Sequence, residues 1–165
     1  MSPTVRRLGP GEADLLRTVR LRALGDAPMA FGSTLAREEG YEPREVGALG
    51  GRVGERRAPG DLHRRAGSWN GEQCDDDADP ALAHLYAMWV APDARGTGAG
   101  RALLAAVVGW ATDRGAERLT TSVTEGNAAA TALYAAAGFA DTGRREPLGH
   151  SGAVVAVLER ALGDR

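Results

Sequence analysis

The sequence predicts a single domain of α/β (α+β) class, and three observations predict it. Its 165 residues suit one core made of a sheet and its helices. In the C-terminal half, short apolar runs typical of strands alternate with stretches whose apolar residues recur at helical spacing. Neither an internal repeat nor a linker divides the chain. We therefore predict one domain over residues 1–165.

The N-terminal part predicts a strand followed by a helix. The short run "VRRL", residues 5–8, predicts a first strand. Residues 11–28, "GEADLLRTVRLRALGDAP", place their apolar side chains at intervals near 3.6 residues, which predicts an amphipathic helix. Pro28 ends this helix.

The C-terminal half opens with a strand and a second helix. The apolar run "AHLYAMWV", Ala83–Val90, lacks polar alternation and predicts a central strand covered on both faces. Pro92 ends it. Apolar residues at helical spacing then predict a helix over Gly98–Arg114, with Gly115 as its C-terminal stop.

The remaining elements are a strand, a helix and a last strand. "RLTTSV", Arg118–Val123, predicts the next strand. Asn127 is a favourable N-cap for the helix "AAATALYAAA", and Gly138 followed by Phe139 is typical of the end of a helix. "AVVAVLE", Ala153–Glu159, predicts the last strand, so the predicted order is β, glycine loop, α, β, α, β.

Composition and charge exclude several classes of function. The formal net charge is −2, and no basic block with interleaved aromatic residues occurs, so we expect no nucleic-acid partner. All 20 basic residues are arginine, so the chain lacks both a Walker-A lysine and a lysine for a Schiff base with pyridoxal phosphate. The lack of Lys and Ile, with abundant Arg, Ala and Gly, indicates a GC-rich genome, which we expect to be bacterial.

Localisation and metal binding follow from what the sequence lacks. No apolar run approaches the length of a membrane span, and residues 1–8 lack the apolar middle of a signal peptide. We therefore expect a cytoplasmic protein without a membrane partner. Cys74 stands alone and excludes an internal disulfide. The histidines His63, His84 and His150 are widely separated, so we expect no metal.

The stretch "RGTGAGR", residues 95–101, lies between the central strand and the following helix. Its three glycines permit positive φ, and the helix directs unpaired N–H groups and its positive dipole end into the same space. The ligand that suits such a loop is a phosphate or pyrophosphate, to which Arg95 and Arg101 could add charge-assisted hydrogen bonds. A plain strand-to-helix turn is the alternative. A dinucleotide fingerprint is excluded, because its third glycine falls on Arg101 or Leu103.

Two stretches in order resemble the signatures of the GNAT family, the Gcn5-related N-acetyltransferases. Arg95–Gly100 fits the family's R/Q-x-x-G-x-G/A loop, and "TEGNAAATALYAAAGF", residues 124–139, fits its second signature of an Asn, a helix bearing a Tyr, and Gly-Phe. Leu21–Thr34 resembles the N-terminal helices of one bacterial branch. The resemblance implies a mixed, mostly antiparallel central sheet, flanked by helices and splayed at the cofactor strand.

The resemblance also implies a site for acetyl-CoA as acyl-donor substrate. Loop amides would hold the pyrophosphate, the strand backbone would hold the pantetheine arm, and a backbone N–H near Val90 would stabilise the oxyanion. Tyr134 would protonate the departing thiolate as general acid, while a primary amine attacks the thioester directly in a ternary complex. The implied donor-binding residues are Met88, Trp89, Val90, Arg95, Gly96, Thr97, Gly98, Ala99, Gly100, Arg101, Asn127 and Tyr134.

Three of these residues have plainer explanations beside the functional ones. Tyr134 could be a core filler, and Asn127 could serve only as a helix cap. Trp89 suits packing better than ligand stacking. A non-catalytic or degenerate CoA-binding protein is the alternative to an N-acetyltransferase, because the strand lacks the family's Glu and residues 44–73 depart from its pattern.

Neither the general base nor the acceptor is assigned. The strand lacks the Glu that the family frequently uses, His84 and Tyr86 are as typical of a core as of a site, and Glu125 is the weakest candidate. The acceptor would lie over Leu21–Thr34 and over the loop before the last strand, around Arg145–His150. Peptide, amino-acid, polyamine and drug amines stay open, and so does a homodimer.

Residues 44–73 depart from the family's pattern. They are rich in Gly and Arg and show no clean period, where the family supplies two or three strands. One hypothesis is a frameshift, because codons for "GDLHRRA", residues 60–66, can be read one base along as an apolar, strand-like run. A divergent insertion is the alternative, and the coding DNA distinguishes the two.

Overall fold

The computed structural model describes residues 5–6, 8, 11–41, 79 and 81–163. Its helices are α1 (Ala13–Asp26), α2 (Leu35–Glu39), α3 (Ala99–Thr112) and α4 (Ala128–Ala136). Its strands are β1 (Leu82–Leu85), β2 (Arg118–Thr124), β3 (Ala140–Leu148) and β4 (Ala153–Ala161). The atypical segment 44–73 lies outside the described residues, as does Cys74. None of the described helices is long and apolar enough to cross a membrane.

The described strands form one mixed sheet in the order β1-β2-β4-β3. β1 runs parallel to β2, whereas β4 is antiparallel to both β2 and β3. This arrangement confirms the predicted mixed, mostly antiparallel sheet with flanking helices. Among the described strands, however, β1 lies at an edge of the sheet rather than at its centre.

The predicted helix ends are confirmed by their caps. α3 stops before Gly115, which has a φ of 76°, and the N–H of Ala116 returns to the carbonyl of Ala111 at 3.1 Å. The Asn127 side chain accepts from the N–H of Ala130 at 3.1 Å, so it does cap α4. Such an N-cap contributes about 1 kcal/mol to a helix.

One apolar core joins α3 and α4 to the sheet. Within it, the rings of Tyr134 and Phe139 meet edge to face, with centroids 5.3 Å apart and planes at 69°. The N–H of Phe139 also donates to the carbonyl of Tyr134 at 3.1 Å, so the end of α4 fixes the tyrosine ring. The buried members of this core are Ala83, Leu85, Leu104, Ala111, Ala116, Leu119, Val123, Tyr134, Phe139, Leu158 and Leu162.

The N-terminal helices form a second, smaller core. Ala23, Leu24 and Phe31 are buried together. Beside them, Arg20 donates two hydrogen bonds of 2.9 Å to Glu38, and both side chains are buried. Removing one partner of a buried ion pair costs about 3–5 kcal/mol. This pair therefore fixes α1 against α2.

Two strand predictions are wrong in part. The described residues of "VRRL" lie in no strand, because Val5 and Leu8 are both exposed and offer no buried face. The strand predicted over Ala83–Val90 is confirmed only as far as Leu85. Beyond it Ala87 turns to a φ of 57°, which interrupts extended backbone.

Strand β3 was not predicted, and it replaces most of the loop expected over Arg145–His150. Its sequence "ADTGRREPL" has no apolar alternation, and most of its residues are exposed. An irregularity in pairing falls between Asp141 and Arg145. β3 lies at the opposite edge of the described sheet from β1, and an edge strand tolerates charged residues and Pro147. Only the turn Gly149–Ser151 remains before β4.

Candidate functional site

Strands β1 and β2 part at one end of the sheet. Their register stops at Leu85 opposite Thr121, whereas β2 stays paired with β4 as far as Thr124. At this fork the Thr121 hydroxyl donates to the Leu85 carbonyl at 3.0 Å. Just beyond it, Ala87 has positive φ, a conformation that costs a non-glycine residue roughly 1–3 kcal/mol. The splay that the resemblance implies is therefore present.

The chain after the fork leaves its backbone donors open. Within the described part of the chain, the N–H groups of Met88, Trp89 and Val90 donate no hydrogen bond. The Val90 carbonyl accepts from Nε of Arg95 at 3.1 Å. An extended ligand can therefore bond to this edge as an added strand would.

The glycine loop has the geometry of an anion cradle. Gly96 and Gly98 have φ values of 77° and 90°, and a Cβ on either would meet no atom within 4 Å. Gly98 is the N-cap of α3 and supplies no side-chain cap. Across the described residues, the amides of Gly96, Gly98, Gly100 and Arg101 make no hydrogen bond, and they lie at the N-terminal end of the helix dipole.

Gly100 serves a different purpose from the two glycines before it. A Cβ at Gly100 would lie 3.1 Å from Cδ2 of Leu133 and 3.4 Å from Cγ2 of Val90. Its bare backbone therefore lets the first turn of α3 approach both α4 and the chain after the fork. The start of α3, which includes Ala99, is held close to the fork by this contact.

The two arginines that flank the loop differ in their contacts. The guanidinium of Arg95 is bound to Asp26 as well as to the Val90 carbonyl. The side chain of Arg101 is exposed and makes no hydrogen bond or ion pair with a described residue. The Thr97 hydroxyl donates to the Ala94 carbonyl at 2.7 Å and so braces the loop itself.

Tyr134 reaches across the core to the chain after the fork. Its hydroxyl donates to the sulfur of Met88 at 3.6 Å. Burial raises the pKa of Tyr134 above its ordinary value, and the Thr121 side chain partly offsets this increase. Because a thioether is a weak acceptor, the phenolic proton is held in place but remains available to a stronger acceptor.

Two further candidates lie near the end of β2. The carbonyl oxygen of the Asn127 side chain is used by the cap of α4, while its NH₂ group bonds to no described residue. Glu125 accepts from Nε of Arg145 at 2.8 Å, and Arg145 also holds both carboxylate oxygens of Asp141. These three charged residues line a cavity of about 530 Å³ that neither Tyr134 nor the glycine loop lines.

His84 and Tyr86 lie on the other face of the sheet from Tyr134. The neighbouring Leu85 belongs to the core with Tyr134, and successive strand residues point to opposite faces. The His84 ring lies 2.7 Å through Nδ1 from the Thr120 hydroxyl, and it stacks on Tyr86 with centroids 5.7 Å apart. Neither is therefore brought to the tyrosine hydroxyl.

Asp26 is a site residue that sequence reasoning missed. Its Oδ2 accepts from Nε1 of Trp89 at 2.7 Å and from Arg95, which are 63 and 69 residues away. No local signal marks such a contact. The Trp89 ring itself packs against the N-terminal core, as the packing alternative predicts. The Thr124 hydroxyl donates to the Met29 carbonyl at 3.0 Å, which places the segment expected to hold the acceptor beside the fork.

Comparison with known families and proteins agrees with this geometry. A family model described as Acetyltransferase (GNAT) family matches residues 34–139. The chain belongs to this family of acetyltransferases. It is 39% identical over 80 residues to mycothiol acetyltransferase from Salinispora arenicola, a match that covers 48% of this chain and 22% of that protein. The chain thus spans about a fifth of the length of the curated relatives that it matches.

Solved structures share the fold over nearly the whole chain. A GCN5-related N-acetyltransferase from Kribbella flavida has a TM-score of 0.68 and 19% identity, and the match covers 96% of this chain and 97% of that one. The yncA protein from Salmonella typhimurium, solved with its cofactor acetyl-CoA, has a TM-score of 0.65 and 17% identity over 98% and 95% of the two chains. At these identities the likeness concerns the fold alone.

Proposed function

We propose that this protein is an N-acetyltransferase that moves the acetyl group of acetyl-CoA to a primary amine. One observation carries the proposal: a buried tyrosine hydroxyl donates a hydrogen bond to a weak acceptor at the fork in the sheet. The hydroxyl belongs to Tyr134 and the acceptor is Met88. Donors for a phosphate and for an extended chain lie on the same side of the core.

The donor would bind mostly through the backbone. A pyrophosphate fits the amides of Gly96, Gly98, Gly100 and Arg101, which have no described hydrogen-bond partner, and space is open beside Gly96 and Gly98. The exposed guanidinium of Arg101 would add charge. The pantetheine arm carries amides that can pair with the open backbone of residues 88–90. The NH₂ group of Asn127 would reach the same ligand from α4.

The chemistry requires one bond to form and one to break. The amine nitrogen bonds to the acetyl carbon, the carbon–sulfur bond breaks, and the thiolate takes a proton from the Tyr134 hydroxyl. The nitrogen gives up one proton to solvent water as the amide forms, and the Tyr134 phenolate takes one proton back from solvent, so the protons balance. The N–H of Val90, which is open at the fork, would stabilise the oxygen that carries negative charge during attack. The products are an amide and CoA thiol.

The raised pKa of Tyr134 agrees with this assignment. Burial disfavours the phenolate, so the folded protein holds the proton throughout neutral pH. A thiolate is a far better hydrogen-bond acceptor than the Met88 thioether, so the Tyr134 hydroxyl would donate to the departing sulfur instead. Tyr134 therefore suits a general acid and not a general base.

A protonated acceptor must also lose a proton before its nitrogen can attack, and Tyr134 does not take that proton. Glu125 is bound to Arg145, and His84 lies across the sheet from Tyr134. We propose that the acceptor enters as the free amine, so that turnover rises with pH as the acceptor deprotonates. The acceptor class stays open among peptide, amino-acid, polyamine and drug amines.

The alternative function is a non-catalytic CoA-binding protein. The engagement of Glu125 by Arg145 favours it, because this removes the carboxylate nearest in sequence from the role of base. Release of CoA thiol from acetyl-CoA, measured with a panel of amines, separates the two. We expect amine-dependent release that saturates in both substrates. Binding of acetyl-CoA without release at any pH would support the alternative.

A further inference from the structure

Asp26 links the N-terminal helices to the chain after the fork and to the glycine loop. It is the last residue of α1, and a single carboxylate oxygen accepts from both Nε1 of Trp89 and the guanidinium of Arg95. The Asp26 side chain is 23% exposed, and the residue as a whole lies at the surface. Two donors on one oxygen hold its position from two directions.

The contacts of Asp26 close the turn that leads into the glycine loop. Trp89 precedes this turn and Arg95 follows it, with the 3₁₀ turn Pro92–Ala94 between them. Arg95 also donates Nε to the Val90 carbonyl at 3.1 Å. Asp26 therefore pins both ends of the turn, whose exit sets the direction of the loop amides.

Asp26 extends from a well-packed part of α1. Ala23 and Leu24, in the last turns of α1, are buried with Phe31 in the N-terminal core. The guanidinium of Arg22 lies 5.7 Å from the centre of the Trp89 ring, which holds the ring against the same helix. Packing of α1 therefore positions the carboxylate from the helix side, while Trp89 and Arg95 hold it from the loop side.

We propose that Asp26 is a positioning residue for the acyl donor: through Trp89 and Arg95 it sets the glycine loop, residues 95–101, in its binding geometry. The proposal rests on the proposed function, since it assumes that the loop binds acetyl-CoA. Because the hydrogen bonds of the Asp26 side chain go to Trp89 and Arg95 and not to Tyr134, its loss should weaken donor binding and leave the rate at saturation unchanged. Preorganised donors bind more tightly because no ordering cost remains.

The test compares two aspartates on the full chain. Asp26→Asn keeps an oxygen for Trp89 but loses the charge that holds Arg95. Asp93→Asn removes the same charge from the exposed turn, where no contact with a described residue is lost. We expect the acetyl-CoA Kd to rise about fivefold in Asp26→Asn and to stay within about twofold in Asp93→Asn. The value of kcat at saturating donor should be unchanged in both.

Two more variants separate positioning from general stability. Trp89→Phe keeps the ring and removes only the N–H, and it should also raise the acetyl-CoA Kd. In an Arg95→Ala background, Asp26→Asn should add less than about twofold, because its main route to the loop is gone. Trp89→Phe also serves as the test if Asp26→Asn fails to fold.

The outcomes distinguish this inference from the function on which it rests. Parent protein that does not bind acetyl-CoA contradicts the proposed function and the inference with it. Parent binding, with equal Kd in Asp26→Asn and Asp93→Asn, contradicts the inference alone. A fall in kcat at saturating donor would also overturn it, because Asp26 would then act on the chemical step.

Discussion

The glycine loop and the Tyr134–Met88 contact face the same fork, but different parts of the sequence encode them. The loop is built from the backbone of seven consecutive residues, and the positive φ of Gly96 and Gly98 shapes it. The tyrosine meets a sulfur 46 residues away, and only the packing of α4 on the sheet brings them together. We infer that changes in the loop alter donor affinity, whereas changes at the tyrosine alter the rate.

The largest effect should follow Tyr134→Phe. This change removes the proton donor and keeps the ring that packs on Phe139. Loss of a general acid lowers kcat about a hundredfold or more. The acetyl-CoA Kd should stay within about twofold, because the hydroxyl acts mainly on the leaving thiolate. Steady-state kinetics and equilibrium binding measure the two quantities separately.

The matched control is Tyr41→Phe, which removes a hydroxyl that contacts only Arg37 among the described residues. It should keep the parent kcat. Equal kcat in Tyr134→Phe and the parent would remove Tyr134 from the mechanism and end the distinction between the two regions.

The next effect should follow Gly98→Ala, compared with Gly109→Ala. Both changes add one methyl group into open space on or at the end of α3. At Gly98 the φ of 90° strains any other residue by roughly 1–2 kcal/mol, and the loop amides shift, so donor affinity should fall about tenfold.

At the exposed helical Gly109, alanine should instead stabilise the fold by about 0.5–1 kcal/mol. Thermal melts with and without acetyl-CoA measure both effects. A Gly98→Ala protein with parent stability and parent affinity would mean that the loop is a plain turn.

A smaller effect should follow Arg101→Ala. Its exposed guanidinium has no partner among the described residues, so we expect it to bind only the phosphate of the donor. We expect the acetyl-CoA Kd to rise about fivefold at low salt and the difference to shrink at high salt. A salt-independent effect would point to loop distortion instead.

The smallest effect concerns proton binding by Tyr134. Its pKa is raised by burial, so its phenolate forms later than that of an exposed tyrosine as the pH rises. Because the folded pKa exceeds the unfolded one, the proton's contribution to stability is complete below about pH 10 and is lost above it. An ultraviolet titration of the three tyrosines should show one late transition that Tyr134→Phe removes. Loss of an early part of the curve in Tyr134→Phe, with the late part kept, would contradict the burial of this hydroxyl.

The elements that could be predicted are those with local signals. The cap at Asn127, the stop at Gly115 and the helical spacing of α3 are written in adjacent residues, and all three are confirmed. Strand β3 escaped prediction because an outer strand needs no apolar face, and "ADTGRREPL" has none. The strand after Leu85 was predicted too long, because an apolar run does not reveal a backbone turn at Ala87.

The site divides along the same line. The glycine spacing predicts a loop whose amides have no partner in the protein, and the glycine amides of the loop make no hydrogen bond with a described residue. The capture of Arg95 by Asp26 could not, because it depends on how the end of α1 lies against a turn 69 residues away. The partner of a long side chain such as Arg95 depends on which residues the tertiary fold brings within its reach.

Thermal melts of the parent and of Gly98→Val in rising acetyl-CoA decide whether the fork and the glycine loop form a donor site. A ligand that prefers the folded state must raise the melting temperature by mass action, with about 2.7 kcal/mol of added stability at a hundred times Kd. We expect a saturable rise in the melting temperature of the parent and little rise in that of the variant. A cooperative melt of the parent that ignores acetyl-CoA would contradict this expectation.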